Sequence, residues 1–281
     1  MQQLKLGLIG DNISASKAPL LHQLAGRLNG IEVSYERLVP HDLGMSFEQI
    51  FAHCRESGFH GINVTYPYKE DVLRYIEVPN DTIRALGAVN TVVFQATTAL
   101  GYNTDFSGFV SSYFEKFGLS PPARVCLIGA GGVARAIAFG LAQIGAKALV
   151  VTDIDAVRAA ALSAAVRSHF ASLDVSVAPD ALSAAKGAQA VINCTPVGMH
   201  GHPGSPIDSA AMTGARWVFD AVYTPTNTLF LQHARAAGLT TLSGFELFFH
   251  QGLKAFEIFS GLQLDASALR GELENELSKD A

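Results

Sequence analysis

Two charged residues in the first half of the chain have the types and positions expected of proton-transfer groups. Lys69 follows the apolar run and proline of GINVTYPYKE, and Asp105 lies in what we expect to be the polar loop of GYNTDFSGF. A lysine can take or give a proton where a partly dry site lowers its pKa, and a nearby carboxylate can orient it or share the proton. The alternatives are structural, a solvated surface lysine and an aspartate that caps a helix. Sequence spacing leaves open whether the fold joins the two groups.

A glycine-rich segment further along the chain predicts a nucleotide site. The stretch RVCLIGAGGVARAIAF contains the G-x-G-x-x-G/A pattern as Gly129, Gly131 and Ala134, after a predicted strand and at the start of a predicted helix. The first glycine permits a tight turn, the second lets the backbone approach a pyrophosphate, and the helix N-terminus faces the phosphates. The residues expected to hold the cofactor in this loop are Gly129, Ala130, Gly131, Gly132 and Val133.

The strand that follows, ALVVTD, ends in Asp153. A carboxylate at this point accepts hydrogen bonds from the ribose hydroxyls of NAD and repels the 2′-phosphate of NADP. No arginine follows directly, since Arg158 comes a full helical turn later. We therefore expect NAD as the cofactor, with NADP less favoured. Removal of hydride from a secondary alcohol also needs a group that takes the hydroxyl proton, and Lys69 with Asp105 would serve if the fold joins them.

The elements that must position these residues form two groups along the chain. The first hundred residues contain three short apolar runs, separated by stretches with helical spacing, and a hairpin-like stretch, AVNTVVFQATTALGYNTD. After the prolines of FGLSPPA, which mark a possible hinge or linker, six apolar runs alternate with helical stretches. The predicted fold class is α/β with two domains, an α/β substrate domain and a Rossmann domain with a doubly wound parallel sheet. We expect the substrate domain at residues 1–106, completed by C-terminal helices at 242–281, and the Rossmann domain at 107–241.

Composition narrows the class of partner. A net charge of -5, with Lys+Arg 20 over 281 residues, gives no basic face for nucleic acid. No apolar run reaches the roughly 18 residues of a membrane helix, and the N-terminal stretch lacks the pattern of a signal peptide, so we expect a cytoplasmic protein. The three cysteines have no metal-ligand spacing, and the histidines of GMHGHPG lack a third ligand, so we expect no metal site. His22 has the spacing of an amphipathic helix and is interpreted as a structural residue.

Six segments, in this order and over nearly the whole chain, resemble the shikimate dehydrogenase family: NVTYPYK, LGAVNT, GYNTDFSGF, IGAGGVARA, NCTPVGM and HQGLKAFEIFSG. The resemblance implies an oxidoreductase that interconverts the ring alcohol of shikimate and 3-dehydroshikimate, or acts on quinate in a related branch, with NADP or NAD. Asp153 stands where NADP-using members tend to carry basic residues, which makes the chain more similar to NAD-using quinate/shikimate dehydrogenases. The expected partner is a small hydroxylated cyclohexene or cyclohexane carboxylate.

The resemblance also implies roles for individual residues. Lys69 matches the catalytic lysine and Asp105 its partner. Substrate contacts match Ser16, Thr65, Asn90, Tyr223 and Gln251, and the loops that flank the nicotinamide match Thr195, Val197, Val222 and Gly244. Gln251 also lies four residues from Leu247 and from Ala255 on an apolar helical stripe, where its amide needs a hydrogen-bond partner, either substrate or backbone.

One position departs from the family pattern. The family usually offers two hydroxyls, Ser-x-Ser-Pro or Ser-x-Thr-Pro, to the substrate carboxylate, whereas SASKAP has Ser16 at the first position and Ala18 at the second. A missing neutral hydrogen bond costs about 0.5–1.5 kcal/mol, which weakens binding without abolishing it. The alternative substrates are quinate and an aminoshikimate. A separate alternative is an NAD-binding sensor that has lost catalysis, against which stand Lys69, Asp105, Asn90 and Gln251. The sequence leaves monomer and homodimer equally open.

Overall fold

Each apolar run that predicts a strand forms one in the computed structural model, which describes residues 2–279. The chain divides into two compact units, the first containing the described residues up to Thr104 and from Gln251 onward, the second Asp105–His250. Both divisions fall at or inside helices, at the start of α5 (Thr104–Phe117) and within α10 (Gly244–Ser260).

The first unit is built on a five-stranded sheet of order β2-β1-β3-β4-β5. Its strands are β1 (Gln2–Ile9), β2 (Ile31–Leu38), β3 (Gly61–Val64), β4 (Thr91–Phe94) and β5 (Ala99–Tyr102). The first three are parallel, whereas β4 and β5 form the predicted antiparallel hairpin, with Thr91 opposite Tyr102. The helices are α1 (Ala18–Leu28), α2 (Pro40–Leu43), α3 (Phe47–Glu56), α4 (Asp81–Leu86), the end of α10 and α11 (Ala266–Lys279), with a 3₁₀ turn at Asp71–Tyr75.

The second unit contains an all-parallel sheet of six strands in the order β11-β10-β9-β6-β7-β8. These strands are β6 (Arg124–Ile128), β7 (Ala148–Thr152), β8 (Asp174–Val177), β9 (Ala190–Asn193), β10 (Trp217–Asp220) and β11 (Thr240–Leu242). The helices between them are α6 (Gly132–Ile144), α7 (Ala156–His169), α8 (Ala181–Ala185) and α9 (Leu229–Ala236), with a 3₁₀ turn at Ser209–Met212. The strand order reverses between β6 and β9, which is the doubly wound arrangement that the sequence predicts, and ligands of such sheets bind beyond the carboxyl ends of the strands at this point.

The proline-rich segment after α5 is not a boundary between the units. Helix α5 ends at Phe117, and Gly118 follows with φ 64, so the helix has stopped before the first proline is reached. The segment then joins α5 to β6 inside the second unit, and the linker prediction is wrong for this reason. The functional domain limits predicted at residues 106 and 242 stay predictions, because packing alone assigns no role to either unit.

The three cysteines are buried as free thiols. Burial raises the pKa of Cys54 and of Cys126 to about 12, so neither thiol ionises at neutral pH. Within residues 2–279, no helix combines the length and the apolar character required to cross a bilayer.

Candidate active site

The substrate residues predicted in the first unit gather at one edge of its sheet. Ser16 follows β1 and Thr65 follows β3, so both lie beyond the carboxyl ends of parallel strands. Asn90 immediately precedes β4, which runs antiparallel to β3 and therefore begins at the same edge. Topology thus brings together residues that are far apart in the sequence.

Backbone hydrogen bonds fix the turn that carries Lys69. The Lys69 carbonyl accepts from the N–H of Val89 at 2.8 Å, and the Asn90 carbonyl accepts from the N–H of Val64 at 2.9 Å. The Thr65 N–H donates to the Ile9 carbonyl at 2.9 Å. The Lys69 turn, Thr65 and Asn90 are therefore held together through main-chain contacts that do not depend on the lysine side chain, which is half-buried.

The Asn90 side chain is the centre of a buried polar network. Its Oδ1 accepts from the Thr104 backbone N–H at 2.7 Å, from the Thr104 hydroxyl at 3.1 Å and from the Thr91 hydroxyl at 3.0 Å. Asn63 extends the network, since its Nδ2 donates to the Thr91 hydroxyl at 3.1 Å. A backbone N–H can only donate, so the Asn90 atom facing it must be the oxygen. The Asn90 amide nitrogen consequently faces away from the network as a donor.

Ser16 has a defined local role beside its predicted contact with substrate. Its hydroxyl oxygen accepts from the N–H of Ala18, the first residue of α1, at 3.3 Å, and its carbonyl accepts from Arg37 Nη2 at 2.7 Å. A hydroxyl that accepts one hydrogen bond still has its own O–H to donate. Ser16 can therefore hold the start of α1 and donate to a carboxylate at the same time.

Gln251 lies on the part of α10 that packs against α1. A Cβ added to the next residue, Gly252, would lie 2.6 Å from Leu21 Cδ1, so the glycine allows the close approach of these two helices. Gln251 itself is half-buried. The packing places its turn of α10 beside α1, whose first residue, Ala18, is bonded to Ser16.

Asp105 does not lie in a loop, and the loop prediction is wrong. It is the second residue of α5, which starts at Thr104, and it is buried with 7% exposure. The helix starts early because the Thr104 N–H finds an acceptor in the Asn90 side chain. A carboxylate in the first turn is stabilised by the helix dipole. The capping alternative is also wrong, because Asp105 lies inside the helix.

His22 belongs to the core of the first unit and not to its sheet edge. The imidazole is 1% exposed and stacks on Tyr35 with 5.0 Å between ring centroids. Burial lowers its pKa to about 3, and a hydrogen bond with Asn63 opposes the shift. The structural interpretation of His22 is confirmed.

The glycine-rich loop of the second unit has the shape required of a phosphate cradle. Gly129 has φ 102, and a Cβ there would lie 2.9 Å from the carbonyl of Cys194, so only glycine fits. Gly131 is the N-cap of α6, and Gly132 and Val133 open the helix. A Cβ on Gly131 would enter otherwise open space and meet only Arg158 Nη2, at 3.4 Å. The small residues therefore leave room for a ligand against the helix N-terminus, which fits a pyrophosphate.

Asp153 supports this loop through its carboxylate. Its Oδ2 accepts from the N–H of Ala130 at 2.6 Å, and its Oδ1 accepts from the N–H of Asp155 at 2.9 Å. The carboxylate is half-buried at the end of β7. Arg158, which the sequence places a helical turn away, reaches the glycine-rich loop through its side chain. Sequence spacing therefore underestimated how close a cation lies to the predicted cofactor site.

The other residues predicted to bind the cofactor follow β9, β10 and β11 at the same edge of the second sheet. Thr195 and Val197 come after β9, Val222 after β10, and Gly244 starts α10 directly after β11. A Cβ on Gly244 would lie 2.6 Å from the Val222 carbonyl carbon, so glycine is what lets the two segments meet. Tyr223 stacks on Phe248, with ring centroids 5.0 Å apart and an interplanar angle of 6°.

Two buried polar residues at this edge were missed by sequence reasoning. Asn193 and Asp220 end the adjacent strands β9 and β10 and are both 0% exposed. Burial raises the pKa of the Asp220 carboxyl, although hydrogen bonds from Thr228, Val222 and Asn193 oppose the shift. The signal that could have found them is a polar residue that closes an otherwise apolar strand, since such a group must be hydrogen-bonded.

Comparison with known proteins places these features in a family. Residues 8–92 match the family model for the shikimate dehydrogenase substrate binding domain. A quinate/shikimate dehydrogenase (NAD(+)) of Corynebacterium efficiens is 38% identical over 274 residues, covering 94% of this chain and 95% of the relative. A shikimate dehydrogenase (NADP(+)) of Pseudarthrobacter chlorophenolicus is 36% identical, covering 94% and 92%.

A solved structure extends the similarity to the fold. The quinate dehydrogenase from Corynebacterium glutamicum, in complex with NAD, superposes with a TM-score of 0.89 and 34% sequence identity, covering 98% of this chain and all of that one. Identity above 30% along nearly the full length of both chains agrees with the glycine-rich loop and the sheet edges described above. The chain belongs to the shikimate dehydrogenase family.

Proposed function

We propose that this protein catalyses reversible hydride transfer between NAD and the ring hydroxyl of shikimate, giving 3-dehydroshikimate. The observation that carries the proposal is the sheet edge of the first unit, where main-chain bonds to neighbouring residues hold Thr65, the Lys69 turn and Asn90. This edge presents an amine, a hydroxyl and an amide donor, a set suited to a polyhydroxylated substrate.

In this proposal Lys69 handles the proton of the reacting hydroxyl. As the alcohol is oxidised, the amine takes the hydroxyl proton, and in the reverse direction the ammonium returns it to the carbonyl oxygen. Asp105 orients the ammonium and shares its proton. Asn90 and Thr65 bind substrate hydroxyls and carboxylate, Ser16 donates to the carboxylate, and Gln251 and Tyr223 complete the substrate contacts.

The glycine-rich loop and its neighbours are the proposed cofactor residues. The cradle at Gly129–Val133 would hold the pyrophosphate, and Thr195, Val197, Val222 and Gly244 would flank the nicotinamide. When bound, the nicotinamide ring supplies the acceptor or donor of the hydride. Asp153 supports NAD over NADP because its carboxylate would face and repel a 2′-phosphate. Arg158, beside the same loop, carries a positive charge that would attract the 2′-phosphate of NADP. We therefore expect a partial preference for NAD and some activity with NADP.

Quinate is the second candidate substrate, favoured by the similar proteins that are named for quinate, and Ala18 is the departure from the family pattern that opens the choice of ligand. The side chain at this position has no hydroxyl, and its backbone N–H is already bonded to Ser16. One contact to the carboxylate that other members make is thus absent, and the names of similar proteins include both quinate and shikimate. An aminoshikimate is a further alternative in the same family.

Steady-state kinetics on shikimate and quinate, each with NAD and NADP, test the proposal. We expect the highest kcat/KM for shikimate with NAD. A higher kcat/KM with quinate would transfer the assignment to the second candidate, and a higher kcat/KM with NADP would remove the role given to Asp153. NAD binding without turnover of any ring alcohol would favour the cofactor-binding sensor.

We further infer that the enzyme acts in the cytoplasm on small carboxylates, as a monomer or homodimer, without nucleic-acid, membrane or metal partners. The net charge of -5 supports the absence of a nucleic-acid partner. In this scheme the first unit is the substrate domain and the second the cofactor domain. Mass measurement in solution distinguishes the two oligomeric states.

A further inference from the structure

We propose that Asp220 is a positioning residue that sets both loops expected to flank the nicotinamide, acting through Asn193. The inference rests on the proposed function for the identity of those loops. It assigns a role to two residues that neither the sequence motifs nor the family resemblance singled out as site residues. Neither is expected to touch substrate or cofactor, since both side chains are fully buried beneath the sheet edge.

The first loop is held by Asn193. Its Oδ1 accepts from the Thr195 N–H at 3.0 Å and from the Thr195 hydroxyl at 2.6 Å, while its Nδ2 donates to the Val197 carbonyl at 3.0 Å. The Thr195 hydroxyl oxygen in turn accepts from the Val197 N–H at 3.2 Å. One amide side chain therefore satisfies both ends of the turn that contains Thr195 and Val197. The conformation of this turn follows the orientation of the Asn193 amide.

Asp220 supports the same orientation that the Thr195 N–H and the Val197 carbonyl require. Its Oδ1 accepts from Asn193 Nδ2 at 2.9 Å, across a register that places the two residues opposite each other on neighbouring strands. A carboxylate only accepts hydrogen bonds, so the amide must turn its nitrogen toward Asp220 and its oxygen toward Thr195. Reversal of the amide would place its oxygen against the carboxylate and its nitrogen against the Thr195 N–H, leaving both contacts repulsive.

The same carboxylate holds the second loop. Its Oδ1 also accepts from the Val222 N–H at 3.1 Å, and its Oδ2 accepts from the Thr228 hydroxyl. Thr228 is the N-cap of α9, where its hydroxyl oxygen accepts from the Leu231 N–H at 3.3 Å. Asp220 therefore anchors the β10–α9 connection at both ends, and Val222 within it is the residue against which Gly244 packs.

This arrangement couples the two loops through a single acceptor group. Because Asn193 and Val222 share the same carboxylate oxygen, loss of Asp220 removes one supporting hydrogen bond from each loop at once. Loss of Asn193 releases only the Thr195 turn. The pair of variants thus separates a positioning role, which follows the loops, from a general loss of stability.

The test compares Asp220→Ala and Asp220→Asn with a control, Ser112→Ala. Ser112 is also buried in the second unit and donates one hydrogen bond within α5, to the Phe109 carbonyl at 2.9 Å. We expect Asp220→Ala to lower kcat about a hundredfold, the effect of misplacing reacting groups by about an ångström. The KM for NAD is expected to rise about tenfold, with the KM for shikimate within about twofold of wild type, because substrate contacts lie mainly on the first unit.

Asp220→Asn is the conservative variant and is expected to recover most of the lost kcat. Its amide oxygen can still accept from Asn193 and Val222, and its nitrogen can donate to the Thr228 hydroxyl. Equal losses in Asp220→Asn and Asp220→Ala would overturn the inference, as would Asp220→Ala kinetics within twofold of Ser112→Ala. If Asp220→Ala does not fold, Asn193→Ala is compared with Ser112→Ala instead. A lower kcat in Asn193→Ala would support the inference, and kinetics within twofold of Ser112→Ala would overturn it. Only the Thr195 turn is expected to be affected in this variant.

Two further measurements are independent of the substrate. Calorimetric titration with NAD gives a Kd that we expect to rise about tenfold in Asp220→Ala and to stay unchanged in Ser112→Ala. Amide hydrogen exchange in the cofactor-free protein is expected to accelerate at Val197 and Val222 together in Asp220→Ala, and at Val197 alone in Asn193→Ala. If the wild-type protein turned over neither shikimate nor quinate, the proposed function would fail, while these measurements would still support or overturn the positioning role. Unchanged Kd and unchanged exchange in Asp220→Ala would overturn it.

Discussion

Replacement of Asn90 separates the structural role of this side chain from its proposed contact with substrate. The Oδ1 atom receives three donors, of which its two lone pairs can satisfy about two at full strength, each contributing about 1 kcal/mol. Asn90→Ala also leaves the buried Thr104 N–H without that acceptor, at a further cost of about 1 kcal/mol. We therefore expect the free energy of unfolding to fall by about 3 kcal/mol.

Asn90→Asp is expected to behave differently. A carboxylate can accept from the same three donors, and it lies at the N-terminus of α5, where the helix dipole favours negative charge. These gains offset the desolvation of a buried carboxylate, so we expect a smaller loss of stability than in Asn90→Ala. The amide donor is lost, however, and an anionic substrate then faces a new negative charge. The KM for shikimate should rise at least about tenfold, and added salt should reduce the effect.

Urea denaturation followed by circular dichroism, and initial rates at saturating NAD, measure the two effects separately. Asn29→Ala is the matched control, because it removes one hydrogen bond, from Nδ2 to the Ala25 carbonyl at 2.9 Å. Asn29 lies at the C-terminal end of α1, whereas Ser16 is bonded to the N-terminal end. It should change stability by about 1 kcal/mol or less and leave KM unchanged. An Asn90→Ala protein as stable as Asn29→Ala would refute the network argument. An Asn90→Asp protein with wild-type KM would refute the contact with substrate.

Three further outcomes are expected. Lys69→Ala should lower kcat by about a hundredfold or more, the size expected for loss of a general acid/base, with little change in melting temperature. The neighbouring control, Glu70→Ala, should keep wild-type kcat. Near-normal turnover of Lys69→Ala would remove the residue from its proposed role. Asp153→Ser should lower the ratio of kcat/KM for NAD to kcat/KM for NADP by about tenfold or more. Adding Arg158→Ala should reverse part of that change, because the nearby cation is then gone. An unaltered ratio in Asp153→Ser would contradict the role of Asp153 in selecting NAD. Below the ordinary histidine pKa of 6.5, His22 is protonated in the unfolded chain, whereas in the folded chain it stays neutral down to about pH 3. The free energy of unfolding should therefore fall as the pH is lowered from 6.5 to about 3, by up to about 1.4 kcal/mol per pH unit. His22→Gln should show a shallower fall across that window, and identical slopes in urea titrations would contradict the buried neutral imidazole.

Local sequence patterns were sufficient for the strands and for the glycine-rich loop. Runs such as RVCLIG and ALVVTD are short, apolar and rich in β-branched residues, and their alternation with helical stretches restricts the sheet to the parallel, doubly wound form. Gly129 was predicted for the same kind of reason, because a tight turn after a strand requires a residue without a side chain. The structure shows φ 102 at this position.

Patterns were insufficient where a side chain takes its partner from a distant part of the chain. The polar neighbours of Asp105 predict a loop, yet α5 begins before it because Asn90 accepts from the Thr104 N–H. The linker prediction failed similarly, since prolines are as compatible with a turn inside one unit as with a hinge. Arg158 was judged remote on spacing alone, and a flexible side chain carries its charge back to the glycine-rich loop.

The sequence by itself determined the fold class, the glycine-rich loop and the family, because each depends on short motifs whose residue types are restricted by local geometry. Only the tertiary structure decided that the Asn90 amide has one possible orientation and that Asp220 and Asn193 connect two loops. These features depend on hydrogen bonds between residues that sheet register brings into contact across many intervening positions. Buried polar groups must find partners, but which partners they find is a property of the folded chain.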